Sequence, residues 1–418
     1  MAPRFSGRTA VAACALALAL TGGAVVTGGS GGGGPDPAPA AVAPAAPPPG
    51  PGLGSAGLDR GVRALQSRLR SQPKDFTAWA TLGTAYVEQA RTLGDPSRYA
   101  EAQRALDRSL KLRPDGNDAA LAGRAALAAA RHDFRGALRD ARRALAVNPY
   151  GERALAVRID ALVELGRYAD AARAADEADA RRPGVPVFTR FSYVRELRGD
   201  VTGARRVLEQ ALAGSSASGD VAYVTTALGQ LAWRQGDVKG AMKWCGRALR
   251  ADAGSVAALE CRGRARAGKG DLAGAVRDLR DVVARYPLPG PLVALGELYD
   301  ARGESKAARE QYGLVAAWTR LARANGVDVD LDTALAAADH GDRAAALRAA
   351  RAEWGRRHTV HTADALAWAL HVNGRDAQAL RYARFATRTG FPDASFFYHR
   401  GSSRGARSGG SGWAARSA

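Results

Sequence analysis

The stretch LVALGELYDARGESKAAREQYGLV, residues 292–315, holds one complete structural unit. Leu292, Leu295 and Tyr299 are spaced three and four apart, which puts one apolar stripe on a helix. Gly303 ends that helix, because glycine takes a left-handed backbone at little cost. Glu304 follows, and then Ala308, Tyr312 and Val315 mark a second stripe. The stretch predicts two short amphipathic helices joined by a tight turn, each exposing an apolar face when alone.

Working outward, the alanine of this unit recurs. Ala102, Ala137, Ala171, Ala204, Ala241, Ala275, Ala308, Ala346 and Ala379 follow one another at steps of 33 to 38 residues. Upstream of most of them stands Gly before a charged residue, at Gly166-Arg167, Gly199-Asp200, Gly236-Asp237, Gly270-Asp271, Gly303-Glu304, Gly341-Asp342 and Gly374-Arg375. A period of this length marks stacked supersecondary units that bury one another's apolar faces. The small residue lets the two helices of a unit approach closely. An Asp after the Gly is placed to cap the next helix. Pro114, Pro149, Pro183 and Pro287 are placed to stop second helices.

The first unit reads Trp79-x-x-Leu82-Gly83-x-x-Tyr86, then Ala102, Leu106, Ser109 and Pro114, with a loop insertion around Leu93 to Ser97. These residues and those of 292–315 resemble the tetratricopeptide repeat (TPR). The resemblance covers residues 58–401, about nine units and a fraction of another. Phe188 and Phe191 serve the fourth unit. The sixth, with Leu259, Gly263 and Arg266, and the eighth fit least well. The resemblance implies an all-α fold, an α-solenoid of helix-turn-helix repeats wound as a right-handed superhelix.

Before the array, Arg4 and Arg8 precede an apolar run from Thr9 to Leu20, and small residues follow. Residues 1–27 therefore read as a signal peptide or N-terminal membrane anchor. Cys14 lies at the wrong end of the run for a lipoprotein cleavage box. Residues 28–57 are Gly, Pro, Ala and Ser with one charge, Asp36, and predict a disordered linker. No strand precedes Gly31–Gly34 and no Gly-Lys-Ser/Thr follows, so this is not a phosphate cradle. From Phe391 another first helix begins. Residues 402–418 collapse into Arg, Gly and Ser and predict a disordered tail. The leader places the array outside the cytoplasm, secreted or tethered; a leader without a targeting role would leave it cytoplasmic.

Sixty basic residues against 41 acidic ones give a net charge of +19. Only six of the basic residues are Lys. Arg and Ala rise together in a GC-rich genome without selection for a ligand. No basic run or stacking platform accompanies the charge, so a nucleic-acid partner is not expected. Cys245 and Cys261 fall in neighbouring helices of adjacent units. Buried free thiols are the expected state, and a disulfide is the alternative in an exported chain.

No nucleotide loop, zinc-ligand spacing or nucleophile elbow occurs, and no cofactor, metal site or enzymatic activity is expected. His358-x-x-His361, with His371 beyond, is the nearest candidate for a metal site. His358 stands where a second helix should end, so the two flank a turn. Asp176-Glu177 and Asp364 read as solvated helix faces or i,i+4 pairs. The TPR resemblance implies a concave face lined by first helices and occupied by a peptide segment of a partner protein. Registered on it, Asp160, Glu164, Tyr193, Glu196, Tyr223, Gln230, Trp233, Glu260, Arg264, Glu297 and Asp300 lie toward that face. Second helices carry much of the Arg, including Arg142, Arg143, Arg173, Arg205, Arg206, Arg277 and Arg280. The expectation is a non-enzymatic scaffold with a mixed to acidic groove. Adhesion of an Arg-rich outer face to an anionic polymer is the alternative. The Lys, Asn and Arg set with which some family members clamp a terminal carboxylate is missing.

Overall fold

The computed structural model describes residues 55–409, which form twenty helices and the turns between them, with no strand among the described residues. The leader at 1–27, with Cys14, and the linker as far as residue 54 lie outside the described residues, as do residues 410–418. Helix α1 (Ser55–Ser71) precedes nine helix pairs. The first three pairs are α2 (Phe76–Leu93) with α3 (Arg98–Leu112), α4 (Asp118–Ala130) with α5 (Phe134–Val147), and α6 (Glu152–Glu164) with α7 (Tyr168–Arg181). Next come α8 (Val185–Leu197) with α9 (Val201–Ala213), α10 (Ser218–Arg234) with α11 (Val238–Ala251), and α12 (Val256–Lys269) with α13 (Leu272–Arg285). The last three are α14 (Pro289–Ala301) with α15 (Ser305–Ala324), α16 (Asp330–His340) with α17 (Arg343–Arg356), and α18 (Val360–Val372) with α19 (Asp376–Ala386). Helix α20 (Ala394–Gly409) closes the array and carries on through residues 402–409, where the composition predicts a tail.

The recurring alanine explains the pairing. All nine, from Ala102 to Ala379, are fully buried on second helices, where a larger side chain would push the pair apart. The turn signal works as the local chemistry dictates. Gly166, Gly199, Gly236, Gly270, Gly303 and Gly374 all take left-handed backbone, with φ between 71° and 89°. Asp200, Asp237 and Asp271 then accept from the amides of Gly203, Gly240 and Gly274 at 2.8 Å. Two units depart from this. Gly341 is extended, with φ −147°, and in the second unit His132 takes the left-handed conformation, φ 64°. Each of the four prolines stands two residues past its helix.

Successive first helices, α2, α4, α6 and onward, pack on one another along the array. Second helices pack chiefly on the first helices that flank them. First helices therefore form the inner wall of a curved stack and second helices the outer wall. The curvature brings units five or six apart together. The Trp318 indole donates to the Gly94 carbonyl at 3.0 Å, and the Asp328 amide to the Arg131 carbonyl at 3.1 Å. The Val360 amide donates to the Tyr168 hydroxyl at 2.9 Å. Arg357, the C-cap of α17 at the end of the eighth unit, sits between Glu353 and Glu164 of the third.

The expected free thiols are instead joined: Cys245 and Cys261 form a disulfide, with Cα atoms 5.8 Å apart. The reason is a third residue. Gly229 on α10 has no side chain, and both sulfurs occupy the space that a Cβ there would need.

Candidate interaction surface

The inner wall begins with charges that the fold must neutralise. Asp160 on α6 faces Arg190 on α8, whose Nε lies 2.9 Å from its carboxylate and whose Nη1 donates to the Pro186 carbonyl at 2.8 Å. Burial pushes the Asp160 carboxyl up and Arg190 opposes that. Glu164, four residues on, is likewise pushed up by burial and held by Arg357. On the next first helix the Tyr193 hydroxyl lies 3.4 Å from Nε2 of His361. Its ring stands edge-on to Phe391, and the Arg234 guanidinium lies 5.8 Å from its centre. Glu196 is paired with Arg234 at 2.5 Å.

Further along, Trp233 lies over Gly268 and packs with the Ala232, Ala241 and Ala265 cluster. Gln230 is half-buried one turn before it. Glu260 bonds Arg264 at 2.8 Å, and Arg264 reaches the Gly290 carbonyl. Glu297 lies 3.1 Å from His340, which stacks on Tyr312. Asp300 is exposed and accepts from the Tyr312 hydroxyl at 2.8 Å. The fold brings Asp160, Glu164, Tyr193 and Glu196 together, with Arg190, Arg234, Arg357 and His361 packed against them. Glu297 and Asp300 form a separate group around Tyr312.

A second cluster was not visible in the sequence. Glu88 and Arg91 form an ion pair on α2 and keep 41% and 34% of their side-chain surface accessible. Burial acts first on the Arg91 guanidinium, but Glu88 outweighs it and raises its pKa; Tyr286 and Tyr223 act in the same direction. Glu88 in turn feels Arg153 at the start of α6. Groups on α2, α6, α10 and the turn before α14 thus act on one another electrostatically. Burial lowers the pKa of Arg153, which makes no ion pair among the described residues. The Tyr223 hydroxyl is buried without a hydrogen-bond partner. No local pattern marks these groups, because they come from units two to five repeats apart.

The histidine motif stays apart from this. His358 lies in the turn between α17 and α18, stacked on Trp354, while His361 is on α18. No cluster of His, Cys, Asp and Glu suited to a metal occurs among the described residues. Glu177 pairs with Arg158 and Arg181. Asp364 does not face solvent: it is fully buried, with both carboxylate oxygens 2.9 Å from Nδ1 of His399 on the closing helix.

Paired helices around a buried alanine, repeated nine times, define a helical repeat solenoid. A family model described as "Tetratricopeptide repeat" matches residues 198–256. No curated protein matches the sequence. Among solved structures, it is similar to a tetratricopeptide repeat protein from Parabacteroides merdae, at 15% identity over 57% of this chain and 97% of that one, with a TM-score of 0.42. A thermophilic TPR protein from Thermus thermophilus aligns at 23% identity over 46% of this chain and 98% of that one, TM-score 0.40. Yeast Tom70 aligns at 12% identity over 84% and 88%, TM-score 0.42.

Proposed function

We infer that the chain is a non-enzymatic scaffold whose inner wall receives an extended segment of a partner protein. The supporting observation is the pair of unmatched polar groups on that wall, Arg153 and the Tyr223 hydroxyl, beside the accessible Glu88–Arg91 pair. A buried hydroxyl without a partner costs stability, and a ligand's carbonyl or carboxylate would satisfy it. The rigid wall leaves most of the ordering cost to the incoming segment. Tyr223 and Trp233 add flat contact area of the kind that dominates binding energy, whereas Tyr193 is engaged by the chain's own Phe391. The test is crosslinking capture in the producing cell with Arg153→Gln and Tyr223→Phe. We expect recovery of the partner to fall about tenfold for the double variant, a difference of roughly 1.4 kcal/mol. Undiminished recovery would remove this part of the inner wall as the binding surface.

The array is placed outside the cytoplasm in this reading. The Cys245–Cys261 bridge supports it, because structural disulfides persist in oxidising compartments. No described helix is long and apolar enough to cross a membrane, so membrane contact is assigned to residues 1–27. Fractionation with thiol labelling tests both points: a cytoplasmic pool with two free thiols is the opposing result.

A further inference from the structure

The second helices share a feature independent of the inner wall. Two residues after each buried alanine stands Arg104, Arg139, Arg173, Arg206, Lys243, Arg277, Glu310, Arg348 and Arg381. Eight of the nine are basic, and all nine are exposed. An excess of Arg from base composition would scatter the charges over the exposed positions. It would not place one at the same register in six consecutive units. Nor does helix capping require it, since the position lies in mid-helix, away from the C-terminal turn where a cation is favoured. Arg104, Arg139, Arg206 and Arg277 make no ion pair among the described residues, so they do not hold the fold together. Asp107, Asp176 and Glu209 lie one turn beyond three of the six, and Arg142 and Arg280 beyond two others. The line is thus the basic edge of a mixed face.

We propose that this line, from Arg104 to Arg277, is a docking track for a flexible, linear polyphosphate chain that lacks bases. The track lies on the outer wall and follows its curvature, one cation per unit. Successive second helices are separated by the first helices packed between them, so the six positions spread along most of the outer wall, the footprint of a polymer and not of a small ligand. Five of the six side chains are guanidinium groups, whose fork matches phosphate oxygens two at a time. Duplex DNA, with a persistence length of about 50 nm, pays a bending cost to follow a curved wall that a flexible chain does not pay. Single-stranded nucleic acid is held by stacking as much as by charge. The exposed large apolar side chains, such as Tyr150, Leu314 and Phe397, form no such platform along the track.

The test uses the full chain and inorganic polyphosphate of about a hundred units as the probe, titrated at several salt concentrations. Binding should weaken steeply with salt, as counterion release requires. The triple variant Arg139→Gln, Arg206→Gln, Arg277→Gln should lose at least tenfold in affinity, and its log–log salt slope should fall by about two. A control triple on α1, Arg60→Gln, Arg63→Gln, Arg70→Gln, removes the same charge off the track and should stay within twofold of the parent. Equal losses in the two triples would overturn the proposal, leaving bulk charge as the cause. So would tripolyphosphate binding as tightly as the long chain, or oligo-dT of equal charge binding more tightly. Partner capture at the inner wall is read separately, so either proposal can fail alone.

Discussion

Gly229 shows how one absent side chain fixes a covalent feature. A Cβ there would lie 2.6 Å from Cys245 Sγ and 2.8 Å from Cys261 Sγ, closer than real contacts. Gly229→Ala should therefore cost about 1–3 kcal/mol by overpacking, read as a lower Tm. In a Cys245→Ala, Cys261→Ala background the same change should cost far less, because each sulfur is gone. A loss of similar size in both backgrounds would count against the packing argument. Neither cysteine reveals its partner in sequence, since two helices of unknown rotation separate them. The decisive glycine is part of neither spacing.

His399 gives a second prediction at this scale. Burial acts first and lowers its pKa, but the Asp364 carboxylate outweighs burial and leaves it above the ordinary histidine value. A histidine raised in the folded state contributes stability that is fully present below about pH 6.5 and is lost as pH rises through the folded value. Asp364→Asn should remove that component and flatten the decline in denaturation midpoint across neutral pH. A decline of unchanged slope in the variant would show that His399 is not the titrating group. His361 works in the opposite direction: burial holds it at about 3, so it opposes folding as pH falls below about 6.5.

At the scale of the element, the helix pairs were largely legible, because caps and stripes are written into neighbouring residues. The Gly-Asp signal specifies a left-handed terminus and an N-cap within two positions. Asp237→Ala should cost about 1 kcal/mol of stability, and Asp237→Asn only a fraction of that. Helix α19 has Arg375 at its N-cap, which supplies no side-chain hydrogen bond there. Arg375→Asn should raise Tm, with a gain of up to about 1 kcal/mol, and chemical denaturation will show whether it does. His132 was less legible. It performs the glycine role without being glycine, because its ring stacks on Phe134 at 5.6 Å.

On the scale of the whole molecule, the joining of units five or six repeats apart was invisible to any periodic reading. Glu164 and Arg357 are separated by 193 positions, and nothing local at either residue names the other. The inner-wall residues were registered by analogy of position, which places a side chain on a helix face. It does not say what the far side of the winding brings to meet it. Arg190 was within reach of such registering, standing 30 residues after Asp160 and so nearly one repeat on. Arg357 was not. Removing one partner of a buried pair typically costs about 3–5 kcal/mol. Arg357→Ala should concentrate that loss where the third and eighth units meet, raising hydrogen exchange at α6 and the start of α18 and increasing the radius of gyration. Exchange confined to α17 would mean that the contact with Glu164 is not holding the windings together.

Those inter-winding bonds also set a kinetic condition. A coil whose successive loops are clasped can be filled only by threading from an end or by springing the clasp. A linear segment with a free terminus would enter at a rate proportional to its concentration. One with folded domains at both ends would wait for Trp318, Arg357 and Val360 to release, and its association rate would level off at high concentration. Weakening the clasp with Arg357→Ala should abolish that plateau for the doubly blocked segment while leaving entry of the free-ended one unaltered.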